Sequence, residues 1–71
     1  RWRVQLGAFA VVANAEKLWQ TLADHPALAG TGKAFVPGKR LTRLHAVGFA
    51  SAPAAQQACD ALLQEGQACL V

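Results

Sequence analysis

Residues 2–6 alternate: Val4 and Leu6 fall on one side of an extended segment, Arg3 and Gln5 on the other. A period of two marks a half-buried strand. Gly7 closes this segment, and Ala8 and Phe9 lead away from it. The period then changes. Between residues 14 and 24, Ala15, Leu18, Trp19 and Leu22 stand at i, i+3, i+4 and i+7, one stripe of a helix. Glu16, Lys17 and Gln20 take its outer side. His25-Pro26 stops the helix, because a residue before proline avoids the α region.

Gly30 and Gly32 mark the loop that follows, and residues 34–36 form a short strand. Val36-Pro37-Gly38-Lys39 predicts a type II turn, with Pro at its second position and Gly at its third. Residues 41–47 alternate again, with Leu44 and Ala46 on one face and Arg43 and His45 on the other. Ser51 is a suitable N-cap, with Pro53 in the first helical turn. Ala55, Ala58, Cys59 and Leu62 repeat the helical stripe, and Gly66 suits a C-terminal cap. Residues 68–71 predict a last strand.

The order strand, helix, strand, strand, helix, strand contains a repeat. A shift of about 40 residues, one repeat length, lays Arg3 on Arg43, Val4 on Leu44 and Phe9-Ala10 on Phe49-Ala50. The same shift lays Ala15, Leu18, Trp19 and Leu22 on Ala55, Ala58, Cys59 and Leu62. Two such halves predict an α+β fold of ferredoxin-like (RNP-type) βαββαβ topology. Its four-stranded antiparallel sheet carries both helices on one face and has the first and third strands at its centre. The other face stays open, as antiparallel sheets permit. Arg3, Gln5, Arg43 and His45 are expected there, Trp19 in the core and Trp2 at the core edge.

The 71 residues bound the chain to a single domain over 1–71. It starts without Met and is expected to be cut from a longer protein. Its net charge of +3 suits a polyanionic partner or an ordinary soluble surface. No apolar run approaches the ~18 residues of a membrane span, so the domain itself is not expected in the membrane. Cys59 and Cys69 are either two small buried hydrophobes or one disulfide, which would imply an oxidising compartment. Together with His25 and His45 they have no zinc-ligand spacing, so neither a metal nor a cofactor is expected.

Catalysis finds little support. Glu16, Asp24, Asp60 and Glu65 sit on outer helix faces or helix ends. Glycoside cleavage needs two carboxyl groups facing each other about 5 to 9.5 Å apart. Ser51 is the only serine and serves as a cap, which leaves no nucleophile for a Ser-His-acid triad.

The opening Trp2-Arg3-Val4-Gln5-Leu6-Gly7-Ala8-Phe9, with Asn14-Ala15-Glu16 starting a helix, resembles the first half of the SPOR family. Arg43-Leu44, Gly48-Phe49-Ala50-Ser51 and the Ala-rich helix are similar to its second half. The resemblance spans nearly the whole chain. It implies a non-enzymatic, monomeric module that binds peptidoglycan glycan strands denuded of their stem peptides. It also implies a host protein of the bacterial cell envelope or periplasm, targeted to the division septum.

By the same resemblance the glycan groove on the open face takes Gln5, Ala8, Leu41, Arg43 and Leu70, with His45 and Arg3 as further contacts. Ala8 stands where the family often has Ser, and Leu41 where it can carry an aromatic. Gln5 offers an amide donor and acceptor to sugar hydroxyl and acetamide groups. Arg43 suits a lactyl carboxylate in a bidentate pair. Leu41, Phe35 and Leu70 suit ring faces. Against this stand ordinary solvated charges for Arg3 and Arg43, and an ordinary polar residue for Gln5. A protein-interaction module and an RNA-binding module share the topology. The RNA reading lacks the aromatic-rich central strands it needs, so no nucleic acid is expected.

Overall fold

A computed structural model describes residues 2–71. Arg1, the first residue of the expected domain, lies outside them. The elements run β1 (Trp2–Phe9), α1 (Val12–Leu22), a 3-10 turn (Pro26–Leu28), β2 (Gly32–Pro37), β3 (Thr42–Phe49) and α2 (Ala52–Gln64). The repeat is visible in these bounds. β3 begins and ends 40 residues after β1, and α2 begins 40 residues after α1.

The sheet is antiparallel with order β1-β3-β2, so the two expected central strands are neighbours. Both helices pack on one face. Val4, Leu6, Leu44 and Ala46 from the strands meet Ala15, Leu22, Ala55, Ala58, Cys59 and Leu62 from the helices in one core. Leu18 and Trp19 pack against it, partly buried. Ser51 caps α2 by accepting the Ala54 N–H at 3.2 Å. Gly66 follows the helix at φ +83°, a conformation glycine adopts without a Cβ penalty.

Two shifts of register shape the sheet. Gln5 pairs with His45 and Gly7 with Leu44, so Leu6 is an extra residue in β1. Trp2 pairs with Phe49 and Arg3 with Val47, so Gly48 is an extra residue in β3, at φ +107°. The first shift resets the alternation of β1. It lets the strand continue to Phe9 rather than stop at Gly7, with Ala8 opposite Arg43. Phe9 turns to the core beside Gly7.

The four-stranded sheet requires correction: among the described residues it has three strands. The segment expected as the last strand pairs with β1 at one bridge, Gln5 with Leu70. These residues exchange both backbone hydrogen bonds, at 2.7 and 3.0 Å. The pairing stops there for a physical reason. The Gln67 side-chain amide donates to the Leu6 carbonyl at 3.0 Å and to the Ala68 carbonyl at 2.8 Å. It thereby engages two carbonyl groups beside the bridge. A disulfide between Cys59 and Cys69 ties the same segment to α2.

The type II turn also gives way. Pro37 remains in β2 opposite Thr42, which an edge strand tolerates. The Gly38 N–H donates to the Leu41 carbonyl at 2.8 Å, and Gly38 lacks the positive φ of that turn. α1 lies two residues earlier than the expected 14–24, because Val11 already has extended N-cap geometry and its carbonyl accepts the Asn14 N–H. Trp2, opposite Phe49, stays 46% exposed and outside the packed cluster.

Candidate functional site

The face opposite the helices is set by register. Gln5 stands beside His45, and Ala8 beside Arg43. From β2, Ala34 stands beside His45 and Val36 beside Arg43. This face holds two groups of residues.

The first group lines a small cleft: Arg3 and Gln5 from β1, His45 from β3, and Leu70 and Val71 from the last segment. Its volume is about 70 Å³. The bridge to Gln5 is what brings Leu70 there. Leu70 remains 66% exposed and forms an apolar rim. The second group lies where β3 begins. Arg43 and Ala8 face each other there, both exposed, with Leu41 just before the strand. The Arg43 guanidinium extends towards the hairpin loop, with Nη1 4.0 Å from where a Cβ on Gly38 would stand. Of the seven expected contacts, Arg3, Gln5, His45 and Leu70 therefore share the cleft, whereas Ala8, Leu41 and Arg43 lie outside it.

His45 departs from expectation in its exposure. A polar residue on an open sheet face is expected to be wet, yet His45 is only 5% exposed. Arg3, Gln5, Leu70 and Val71 line the same cleft, and the last segment closes over a face that alternation alone leaves open. Burial lowers the pKa of His45, and the positive charges of Arg3 and then Arg43 lower it further. The neutral imidazole is favoured.

Phe35 also leaves the expected set. It pairs with Leu44 and packs against the core on the helix side, with the Lys33 ammonium 5.6 Å from its ring centre. Lys33 in turn pairs with Glu16 on α1. The site residue missed in the sequence is Val71. It is an apolar residue without motif or periodicity, placed beside the cleft by the neighbouring bridge at Leu70. Ala34 and Val36 were detectable, because they alternate with Phe35 and must face away from it.

His25 is structural. Its Nδ1 accepts the Ala27 N–H at 3.0 Å and starts the 3-10 turn. Its Nε2 must then carry the proton, which it donates to the Glu65 carboxylate at 2.9 Å. Among the described residues no group of His, Cys, Asp or Glu could hold a metal ion. The acids sit on the helices and at their ends. Glu16 is paired with Lys33, Glu65 with His25, and Asp60 accepts from Gln56. No helix in the described residues is long and apolar enough to cross a membrane.

Among curated proteins, none matches the chain. Among solved structures, the chain is similar to the peptidoglycan binding domain of the B. subtilis cell wall lytic enzyme CwlC, with a TM-score of 0.70 and 26% identity. The match covers 96% of this chain and 81% of that one. The family model described as SPOR domain matches residues 1–71. The two βα halves, with their helices on one face and a polar row on the other, therefore have their explanation: the chain belongs to the SPOR domain family.

Proposed function

We infer that this domain binds peptidoglycan on its uncovered sheet face, without catalysis. It prefers glycan strands whose stem peptides have been removed, and it acts as a monomeric targeting domain of a longer cell-envelope protein that it directs to the septum. The observation that carries the reading is the polar row on that face. Arg3, Gln5, His45 and Arg43 lie along two neighbouring strands, while Glu16, Asp60 and Glu65 are engaged on the helix side. The solved relative's peptidoglycan binding supports the same choice.

The chemistry fits. Gln5 supplies an amide to hydroxyl and acetamide groups. Arg43 supplies a planar fork for a carboxylate. Leu41, Val36 and Leu70 are exposed apolar groups for sugar faces. Ala8 leaves room opposite Arg43 and contributes no hydroxyl. An RNA-binding role is disfavoured, because Phe9, Phe35 and Phe49 all turn to the core and do not stack on the open face.

The test is co-sedimentation with purified sacculi, before and after an amidase strips the stem peptides. Retention should rise on stripped sacculi, fall several-fold in Gln5→Ala, which loses a hydrogen bond, and fall about tenfold or more in Arg43→Ala, which loses a charge-assisted contact. Equal retention on both preparations defeats the preference for bare strands, and no retention on either defeats the reading.

A further inference from the structure

The cleft at one end of the polar row is small. Its volume of about 70 Å³ is roughly half of the ~150 Å³ cavity that accepts benzene. It suits one small substituent of a ligand lying across the face. Its polar lining is Arg3, Gln5 and His45.

Two features of this lining point to the chemistry of that substituent. First, the charge is unbalanced. Among the described residues neither Arg3 nor Arg43 has an acidic partner, since Glu16 pairs with Lys33 and Glu65 accepts from His25. Second, His45 as a residue is only 5% exposed, yet no hydrogen bond among the described residues engages its ring. His45 lines the cleft, and no fully buried side-chain polar atom among the described residues lacks a partner. An imidazole in this position is free to hydrogen-bond with whatever enters.

The groups around His45 set its response. β1 brings Arg3 and Gln5, and its own strand brings Arg43. β2 brings Ala34 beside it, and the last segment brings Leu70 and Val71, none with a titratable side chain. Without a ligand, two positive neighbours oppose protonation. An anion placed among them reverses the balance, since an opposite charge within about 4–6 Å favours the charged form.

We propose that the cleft is a proton-linked subsite for a single carboxylate on the ligand, with Arg3 and Gln5 donating to the anion and His45 taking up a proton from solvent as it binds. This rests on the peptidoglycan reading, in which the lactyl carboxylate of a muramic acid without its stem peptide is the group of the right size and charge. A stem peptide would convert that carboxylate to an amide and remove the charge the cleft selects. Preference for bare strands then has an electrostatic cause as well as a steric one.

Two measurements test this. The first follows the His45 ring by NMR titration of the intact domain with N-acetylmuramic acid, and with N-acetylglucosamine, which lacks the carboxylate. His25, held by Ala27 and Glu65, serves as the internal reference. The His45 midpoint should move up with N-acetylmuramic acid and stay in place with N-acetylglucosamine. The second measures retention on amidase-stripped sacculi against pH. Retention should strengthen several-fold from about pH 7.5 to about pH 5.5, within the limit of about tenfold per pH unit for one linked proton. The pH dependence should vanish in His45→Gln and when the sacculus carboxylates are methyl-esterified. An unmoved His45 midpoint, an equal shift with both sugars, or pH-independent retention overturns the subsite while leaving peptidoglycan binding intact. No retention at any pH overturns the binding reading itself.

Discussion

A side chain at residue 7 would collide with the ring of Phe9, whose nearest atoms lie 2.9 Å from where a Cβ would stand. Gly7 and Phe9 share the core side because Leu6 is an extra residue in the strand, and that same shift turns Ala8 outward to face Arg43. The spacing of Gln5, Gly7 and Phe9 thus encodes a local change of register that a binding face needs. His45 shows the cost of such a face. Its folded-state pKa lies below the ordinary value, by burial first and then by Arg3 and Arg43. The unfolded chain therefore binds the proton more readily than the folded one. Stability from this group is fully present above the unfolded pKa of about 6.5 and is lost as pH falls towards the folded value. Thermal unfolding of the ligand-free domain should show a midpoint that is flat above neutrality and declines on acidification. His45→Gln, which cannot titrate, should flatten that decline. An equally steep decline in the variant would assign it to other groups.

The segment beyond α2 is the least secured element of the sheet, held by one pair of backbone hydrogen bonds, the Gln67 amide and the disulfide. It still completes the cleft, through Leu70 and Val71. Closing a loop across 10 positions stabilises by about 2–3 kcal/mol in the chain-entropy account. A domain this small has only a few kcal/mol in total. Reduction, or Cys59→Ala with Cys69→Ala, should therefore lower the unfolding midpoint. It should also speed amide exchange at Leu70 before that of Val4 or Leu44, since a segment joined to the sheet by a single bridge opens locally. Uniform loss of protection would show that the bridge is not a separate unit. This element was also the hardest to read in the sequence. The stripes of α1 and α2, the Ser51 cap and the alternation of β1 and β3 depend on neighbours within a few residues, so they were legible. The single bridge depends on Gln67 reaching Leu6, 61 positions away, and no local pattern records that. The closing of the cleft over His45 follows from the same long-range contact and was illegible for the same reason. Pro37 misled because its turn preference is weak beside its place in an edge strand.

Across the whole molecule, the helix side mixes acids with Lys17 and Lys33, whereas the strand residues of the open face include bases and no acid. Glu16, Asp60 and Glu65 are engaged on the helix side, whereas Arg3 and Arg43 are exposed on the sheet side without acidic partners among the described residues. Arg3 and Arg43 thus give the open face a local positive field. The cleft on this face is also small, about 70 Å³, so apolar burial there cannot alone supply tight binding. These two features predict how binding to stripped sacculi responds to salt. Exposed charges are screened beyond a Debye length, which falls from about 10 Å at 0.1 M to about 3 Å at 1 M. Retention should therefore drop as sodium chloride rises across that range. The slope should shallow in Arg3→Ala and shallow again in the double variant with Arg43→Ala, each removing one charge from the field. Gln5→Ala should weaken binding at every salt concentration and leave the slope alone, because Gln5 carries no charge and its removal does not change the field. Co-sedimentation of the four proteins over a salt series separates the two kinds of contact. A salt-independent wild type would assign recognition to the amide and the apolar rim, and would remove the carboxylate from the account of this face.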